Sequence, residues 1–362
     1  MKATPLLTGW TCRHLGDTAP GRPVTLPHDA MLAEPRTALS AGGVNTGWYE
    51  GYDYEYQRTL TVPENELSDT HILEFEGVYH NAEVWLNGQK AAFHPYGYTN
   101  FYVDCAPFLR AGDNELRVIA RNADQPNSRW YSGAGLYRPV QLWTAGDKHI
   151  LLNGVRIRTV SLEPAVVEIR VRTSAPGTVQ LMVEGLPTVR KESDGEAVFT
   201  LTIDNASLWT PETPNLYRCR VQFADDEAVE TFGVRTVSWG KNGFTLNGER
   251  VIIQGACIHH DNGLLGAVCD LDAVARKVRL LKETGYNAIR SAHNPCSKAL
   301  LAECDRQGVL VMDEYIDHWY IHKTEYDYVP YFMDWWRRDL TDMVEKDYNH
   351  PCVVLYSTGN EV

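Results

Sequence analysis

From Tyr49 to Thr144 the apolar residues recur with period two. Tyr52, Tyr54 and Tyr56 alternate with charged or polar neighbours, and Ile72-Leu73-Glu74-Phe75-Glu76 and Leu116 to Ala120 do so less strictly. Ala82 to Leu86 runs into Asn87-Gly88, the dipeptide best suited to a two-residue hairpin. Alternation sends successive side chains to opposite faces of a strand, so residues 1–145 are expected to form an antiparallel β-sandwich. The pattern resumes after Gly146-Asp147 in Val155 to Arg158, Val167 to Arg172, Thr178 to Val183, Ala197 to Ile203, Tyr217 to Phe223 and Val229 to Val237. These short strands predict a second, immunoglobulin-like sandwich over 146–238. Its charged residues lie on the solvent side of the alternation, and it reads as a spacer without chemistry.

Beyond residue 238 strands and helices take turns. The Asn247-Gly248 turn predicts Arg250 to Gln254 as a first strand. Asp270 can cap a helix with Val274, Val278 and Leu281 on one face, and Gly285 can end it. Asn287 to Arg290 is a second strand, Ser297 opens a helix burying Leu300, Leu301 and Cys304, and Gly308 closes it. Val309 to Met312 is a third strand, a helix forms around Trp335, Leu340 and Val344, and Val353 to Ser357 is a fourth strand covered on both faces. Four strands with three intervening helices is the order of a parallel sheet or barrel. A complete (α/β)8 barrel takes roughly 200–250 residues, so 239–362 is expected to be the N-terminal half of one, truncated and open at both edges. The expected fold is multidomain: jelly-roll β-sandwich, immunoglobulin-like sandwich and half a TIM barrel.

Composition changes this picture little. Ten Trp and nineteen Tyr fill cores or stack on sugars, the first being the more general use. A formal net charge of -13 opposes binding to nucleic acid or to an anionic membrane surface. No stretch approaches the roughly 18 apolar residues of a membrane span, and Met1 to Leu7 lacks the apolar core of a signal peptide. Eight cysteines without a C-x-x-C pair suit reduced thiols. A cytoplasmic location is therefore expected.

Every strand of the last domain ends in polar residues: His259-His260-Asp261, His293-Asn294, Asp313-Glu314 and Asn360-Glu361. In a parallel barrel these ends share one rim, where catalysis sits. A Glu361 partly shielded from water would hold its proton near neutral pH and act as a general acid, with Asn360 beside it to bond a substrate hydroxyl. Glycoside hydrolysis uses such an acid with a second carboxylate. Glu314, on a strand about 4.8 Å away, is the weaker candidate for that partner. Each histidine can equally be a strand-end residue bonded to backbone. His259, His260 and Asp261 are consecutive and point apart, so they make no metal ligand set. The segment Gln125 to Val140 is glycine-rich and aromatic, an ordered loop carrying Trp130, Tyr131 and Arg138. It suits docking onto a neighbouring domain more than direct sugar contact.

Together with Leu26-Pro27-His28-Asp29 this loop resembles the sugar-binding domain of glycoside hydrolase family 2, the family of β-galactosidases and β-glucuronidases. Leu208 to Tyr217, Gly255 to Asp261, Arg290 to Pro295, Met312 to Glu314 and Gly359 to Glu361 follow in family order and spacing, so the resemblance covers all three domains. It implies a retaining hydrolase of terminal β-glycosides with Glu361 as general acid/base and Asn360 as the neighbouring amide. His293 and His259 would line the sugar subsite, with Asn294 and Asp261 as further substrate-binding candidates. The family's nucleophile comes from a later barrel strand, so these 362 residues alone are expected to be inactive. Some family β-galactosidases use magnesium and sodium, but no dedicated ligand set is found. Pro139 stands where many members carry an acidic or amide residue, which removes one contact to substrate or cation. A β-galactoside is favoured, because no cluster of Arg, Lys and Asn at the tips demands a uronate. The alternatives are a β-glucuronidase, a β-mannosidase, or a non-catalytic glycan-binding or scaffold fragment. The open sheet edges predict a homo-oligomer.

Overall fold

A computed structural model describes residues 1–241 and 243–362. The first domain packs two antiparallel sheets face to face. One has the strands Lys2–Pro5, Val140–Ala145, Thr70–Phe75 and Phe101–Asp104 in that spatial order; the other runs Arg22–Val24, Trp10–His14, Tyr54–Val62, Gly112–Ala120, Ala82–Leu86 and Gln89–His94. Trp10, Tyr56, Leu73, Phe75, Val84, Phe101 and Val118 fill the space between them. At the Asn87-Gly88 turn both residues have positive φ, +48° and +78°, and Leu86 pairs with Gln89 across it. That backbone twist matches the twist of paired strands, which is why these two residues favour it.

The alternation misleads at Glu74 and Glu76, whose side chains are buried. Glu74 accepts from Asn100 Nδ2 at 2.7 Å, Trp143 Nε1 at 2.8 Å and Lys298 Nζ at 2.5 Å. Lys298 belongs to the barrel domain, so this face of the sheet is an interface and the Glu74 carboxylate is paired across it.

The second domain packs Ile150–Leu162, Ala165–Thr173 and Glu196–Thr202 against Val189–Ser193, Gly177–Val183, Tyr217–Phe223 and Asp226–Phe232. Val167, Ile169 and Val171 are fully buried while their neighbours are half-exposed. This domain also buttresses the barrel: Asn349 bonds the backbone of Val155 and Ile157, and Arg235 donates to the carbonyls of Pro351 and Val353 at 3.0 and 2.7 Å.

A small meander of Val237–Gly240, Gly243–Leu246 and Glu249–Arg250 leads into four parallel strands, Gly255–Ile258, Ala288–Ser291, Leu310–Glu314 and Val353–Ser357, paired in sequence order. Between them lie helices α1 (Leu271–Glu283), α2 (Lys298–Gln307) and α3 (Val329–Asp347). Asp270 caps α1 by accepting from Ala273 N, Ser297 caps α2 by accepting from Leu300 N, and Gly308 ends α2 at φ +72°. The first parallel strand begins later than the apolar run suggested. Arg250 still pairs antiparallel with Thr245, and Ile252 is 69% exposed. The Asn287 side chain donates to Ile252 O and accepts from Gln254 N, and it adds to single backbone bonds from Val251 N to Phe244 O and from Asn287 N to Gln254 O, so this segment runs ahead of the parallel ladder. The third strand runs two residues further than expected and takes Asp313 and Glu314 into the interior.

Trp209, from the second domain, is fully buried in the barrel's core cluster and donates Nε1–H to the carbonyl of Asp305 in α2 at 2.9 Å. Trp209→Ala should cost about 3–5 kcal/mol, read as a lower urea midpoint by circular dichroism. An unchanged midpoint would show that the second domain does not brace the barrel.

Candidate active site

The third strand ends in Glu314, and neither of its oxygens is free. Arg290 Nε donates to Oε2 at 2.9 Å, Arg290 Nη2 reaches both oxygens at 2.9 and 2.7 Å, and Ser357 Oγ donates to Oε2 at 2.7 Å. His293 Nδ1 lies 2.6 Å from Oε1. Burial pushes the Glu314 carboxyl up, but the hydrogen bonds from His293, Ser357 and Arg290 outweigh it and hold the group below the usual carboxylate range. Glu314 therefore ties the second, third and fourth strands together at the rim.

From Arg290 the network continues outward. Arg290 Nη2 donates to Asn360 Oδ1 at 2.7 Å, and Asn360 Nδ2 donates to Asp317 Oδ1 at 2.9 Å. Backbone bonds from Asn360 N to Ile316 O and from Glu361 N to Asp317 O, 3.0 and 2.9 Å, fix the two segments side by side. Arg129 then enters from the first domain. Its Nε and Nη2 grip Asp317 at 2.9 and 2.5 Å, and its Nη1 donates to Glu361 Oε2 at 3.0 Å. Lys323 Nζ approaches the same oxygen of Glu361 at 3.2 Å.

Within these residues Glu361 has two cationic partners. Its side chain is 52% exposed. The bond from Lys323 and the charge and bond of Arg129 hold its carboxyl below the ordinary value. The expected raised pKa is replaced by an ion-paired carboxylate.

Opposite these groups stands Trp130. Its ring stacks on His259 at 5.4 Å between centroids and meets His293 edge-on at 5.6 Å, while the two histidines are 5.8 Å apart. Burial, then the neighbouring His293, pushes the His259 pKa down. Next to Trp130 a narrow cleft opens between the sandwich and the barrel, walled by Tyr79, Tyr96, Tyr98 and Tyr328 with Arg129, His293, Asp317 and Lys323. Such a mixture of rings and polar groups is the lining of a small-molecule site.

Of the residues singled out from sequence, the rim brings together Glu361, Asn360, His293 and His259. Asn294 is buried elsewhere and lines an inner cavity with Tyr137, Arg138 and His260. Asp261 lies beside the start of α1, where its carbonyl accepts from Lys277 Nζ at 2.6 Å. Neither of these two joins the rim network, because the chain turns away from the rim immediately after His259 and after His293. The loop Gln125 to Val140 docks on the barrel, where Arg138 donates to Pro295 O at 2.8 Å, and it places Trp130 at the rim against His259. Sequence reasoning passed over Arg129 and Asp317. A signal for Asp317 was present, a carboxylate three residues past the Asp313-Glu314 tip; Arg129 had only its place beside Trp130.

A cation does not fit beside Glu361. The carboxylates that would attract one, Asp317 and Glu361, are bridged by the Arg129 guanidinium, with Lys323 adding a second positive charge. Asp305, His350 and Cys352 also come within metal-binding distance of one another. There, however, Asp305 is taken up by His350 Nδ1 at 2.5 Å and Cys352 N at 3.0 Å, an arrangement that closes the turn before the fourth strand. His260 turns to the Ser132 carbonyl at 3.1 Å, away from His259.

Three family models match in succession: "Glycosyl hydrolase 2 galactose-binding domain-like" over 24–158, "Glycosyl hydrolases family 2" over 154–235, and "Glycosyl hydrolases family 2, TIM barrel domain" over 237–362. The β-galactosidase BoGH2A of Bacteroides ovatus is 37% identical over 96% of this chain and 45% of its own length. A putative β-glucuronidase of Formosa agariphila is 33% identical over 93% of this chain and 34% of its own. The crystal structure of a β-glycosidase from Bacteroides vulgatus superposes with a TM-score of 0.93 at 30% identity, covering all of this chain and 50% of that one. The chain spans less than half the length of these curated relatives.

Glu314, Asp317 and Asp327 all titrate below their ordinary values, Asp327 at about 2 through its bonds from His318 and from the backbone of Thr324 and Lys323, which outweigh burial. The unfolded chain binds these protons more tightly than the folded one. The stability they contribute is therefore complete above the unfolded value of about 4 and drains as pH falls through the lowered folded values. Arg290→Ala removes the cation from Glu314 and should move the acid unfolding transition to higher pH by circular dichroism. A transition at the wild-type pH would mean that the pair does not stabilise the fold.

Proposed function

The chain belongs to glycosyl hydrolases family 2, and from that premise we propose that it carries the acid/base side of a retaining glycosidase site acting on terminal β-glycosides, with a β-galactoside as substrate. The observation that carries the reading is the convergence of Asn360, Glu361, His293 and His259 on one rim, facing the Trp130 ring. Glu361 donates a proton to the leaving glycosidic oxygen and then takes one from the water that releases the glycosyl-enzyme. The nucleophile is a second carboxylate about 5 Å away. Glu314 does not serve, because Arg290, His293 and Ser357 occupy both of its oxygens.

The choice of galactoside rests on charge. A uronate needs a cation to meet its carboxylate, and at this rim Arg129, Arg290 and Lys323 each already face a carboxylate of the chain. The name of the Bacteroides ovatus relative agrees with this choice, and that of the Formosa relative favours a β-glucuronide instead. A cytoplasmic location belongs to the same reading, supported by eight free thiols.

The test is hydrolysis of β-galactosides, β-glucuronides and β-mannosides by the gene product that contains these residues. Glu361→Gln should lower kcat/KM on galactosides with poor leaving groups by roughly 10²–10⁴. Undiminished turnover would remove Glu361 from the mechanism, and faster turnover of glucuronides would replace the substrate. The 362 residues alone should be inactive and should self-associate, because the Gly255–Ile258 edge and the apolar face around Ile253 and Met312 are open. A monomer by light scattering would count against the second expectation.

A further inference from the structure

We propose that Arg129, carried on the loop of the first sandwich, is a positioning residue that fixes the carboxylate of Glu361 from across the domain boundary, with Lys323 as its partner. The inference rests on the reading of Glu361 as the acid/base. It begins from how firmly the guanidinium is held. Two of its donors are spent on Asp317, at 2.9 and 2.5 Å, and Asp317 is itself held by Asn360 Nδ2 at 2.9 Å. A planar guanidinium gripped on one edge has its remaining N–H groups aimed in a fixed direction. One of them points at Glu361 Oε2, 3.0 Å away.

The loop beneath is equally constrained. Ser128 Oγ donates to Trp130 O at 2.6 Å, Trp130 Nε1 to Tyr98 OH at 3.1 Å, and Tyr131 OH to Asp29 Oδ2 at 2.7 Å. Arg129 therefore stands on a scaffold that does not need Glu361 to be ordered. Glu361 itself, four residues past the fourth strand, is held through its side chain by Arg129 and Lys323. Without them a flexible carboxylate would sample several rotamers.

The charged groups around Glu361 are Arg129 from the loop, Lys323 from the segment after the third strand, Asp317 behind Arg129, and Arg290 behind Asn360. Two cations touch the carboxylate and the nearest anion is already bound, so the field at Glu361 favours its ionised form. That form is the base of the second half-reaction. There Glu361 takes a proton from water, the water oxygen bonds to the anomeric carbon, and the bond to the nucleophilic carboxylate breaks and returns its electron pair to that carboxylate. The first half-reaction needs the protonated form, so bound substrate must weaken the Arg129 and Lys323 contacts before the proton is delivered. The sandwich domain in this way biases the timing of proton transfer in the barrel.

Titration of Glu361 by carboxyl carbon NMR tests the coupling, in chain labelled at glutamate, with the resonance assigned by its loss in Glu361→Gln. Arg129→Gln should raise the midpoint by roughly one pH unit, Lys323→Gln should raise it as well, and Arg129→Lys should restore most of the wild-type value. A midpoint unchanged in both Gln variants overturns the proposal, even if the thermal midpoint falls, since a purely structural Arg129 would move stability alone. Should Arg129→Gln loosen the domain contact, Lys323→Gln and Arg129→Lys still decide, because Lys323 touches only Glu361 among the charged groups of the rim. The titration is read without turnover. Failure of the glycosidase reading would appear in the activity of Glu361→Gln and leave this result standing.

Discussion

The assembly turns on two buried ionisable side chains of the first domain, each of which completes its hydrogen bonding with one backbone group of the third. The Arg138 guanidinium is buried and donates to Tyr98 O and Pro295 O, both at 2.8 Å. The Asp29 carboxylate is buried as well and accepts from the backbone of Met31, Ala134 and Ala267 and from Tyr131 OH. A charge taken out of water costs several kcal/mol unless its hydrogen-bonding capacity is met. Pro295 and Ala267 belong to the barrel domain, so both demands are met only when the domains are docked in one geometry. Gly133 and Gly266, each at φ near +60°, leave no room for a Cβ beside Asp29. The contact is specific in shape as well as in charge.

Everything at the rim follows from that docking. The loop that carries Arg138 and Tyr131 also carries Arg129 and Trp130, nine and eight residues before Arg138, so fixing one end of it sets the other. The second sandwich contributes from below. Trp209 and Arg235 hold α2 and the turn before the fourth strand, which sets the height at which Asn360 and Glu361 emerge. The expectation of a spacer is incomplete about support, since its residues brace the strand that leads to Asn360 and Glu361.

Local signals were legible in the sequence because local physics decides them. Asp270 and Ser297 cap because a short side-chain oxygen can reach an orphan N–H two or three residues on, and Gly308 ends α2 because only glycine adopts its backbone cheaply. Failures occur where a distant partner overrides the local pattern. Glu74 alternates like a solvent-facing residue, yet Lys298, far along the chain, covers it. Val251 to Gln254 has the composition of a strand, yet the Asn287 amide holds its backbone. The rim positions of Asn360, His293 and His259 could be inferred from strand ends, but the pairing of Arg129 with Asp317 spans 188 residues and leaves no periodic trace. The cations at Glu361 left no trace for a related reason: Arg129 and Lys323 come from other segments, and its own strand says nothing about them.

The rim also bears on what it can hold. Its charges alternate in space: Glu314 with Arg290, Asp317 with Arg129, Glu361 with Lys323, three carboxylates against three cations. The net charge of -13 over the whole chain is therefore not concentrated here. A locally neutral surface of ionised groups presents strong donors and acceptors without a large net field, and that suits hydroxyl groups better than a charged ligand. Each cation is already pulled toward a carboxylate of the protein, so an incoming anion would have to break a charge-assisted hydrogen bond before making its own. A neutral pyranose asks for no such exchange. On the proposed galactoside reading, this pairing within the protein would disfavour an anionic sugar without any group placed there to repel one.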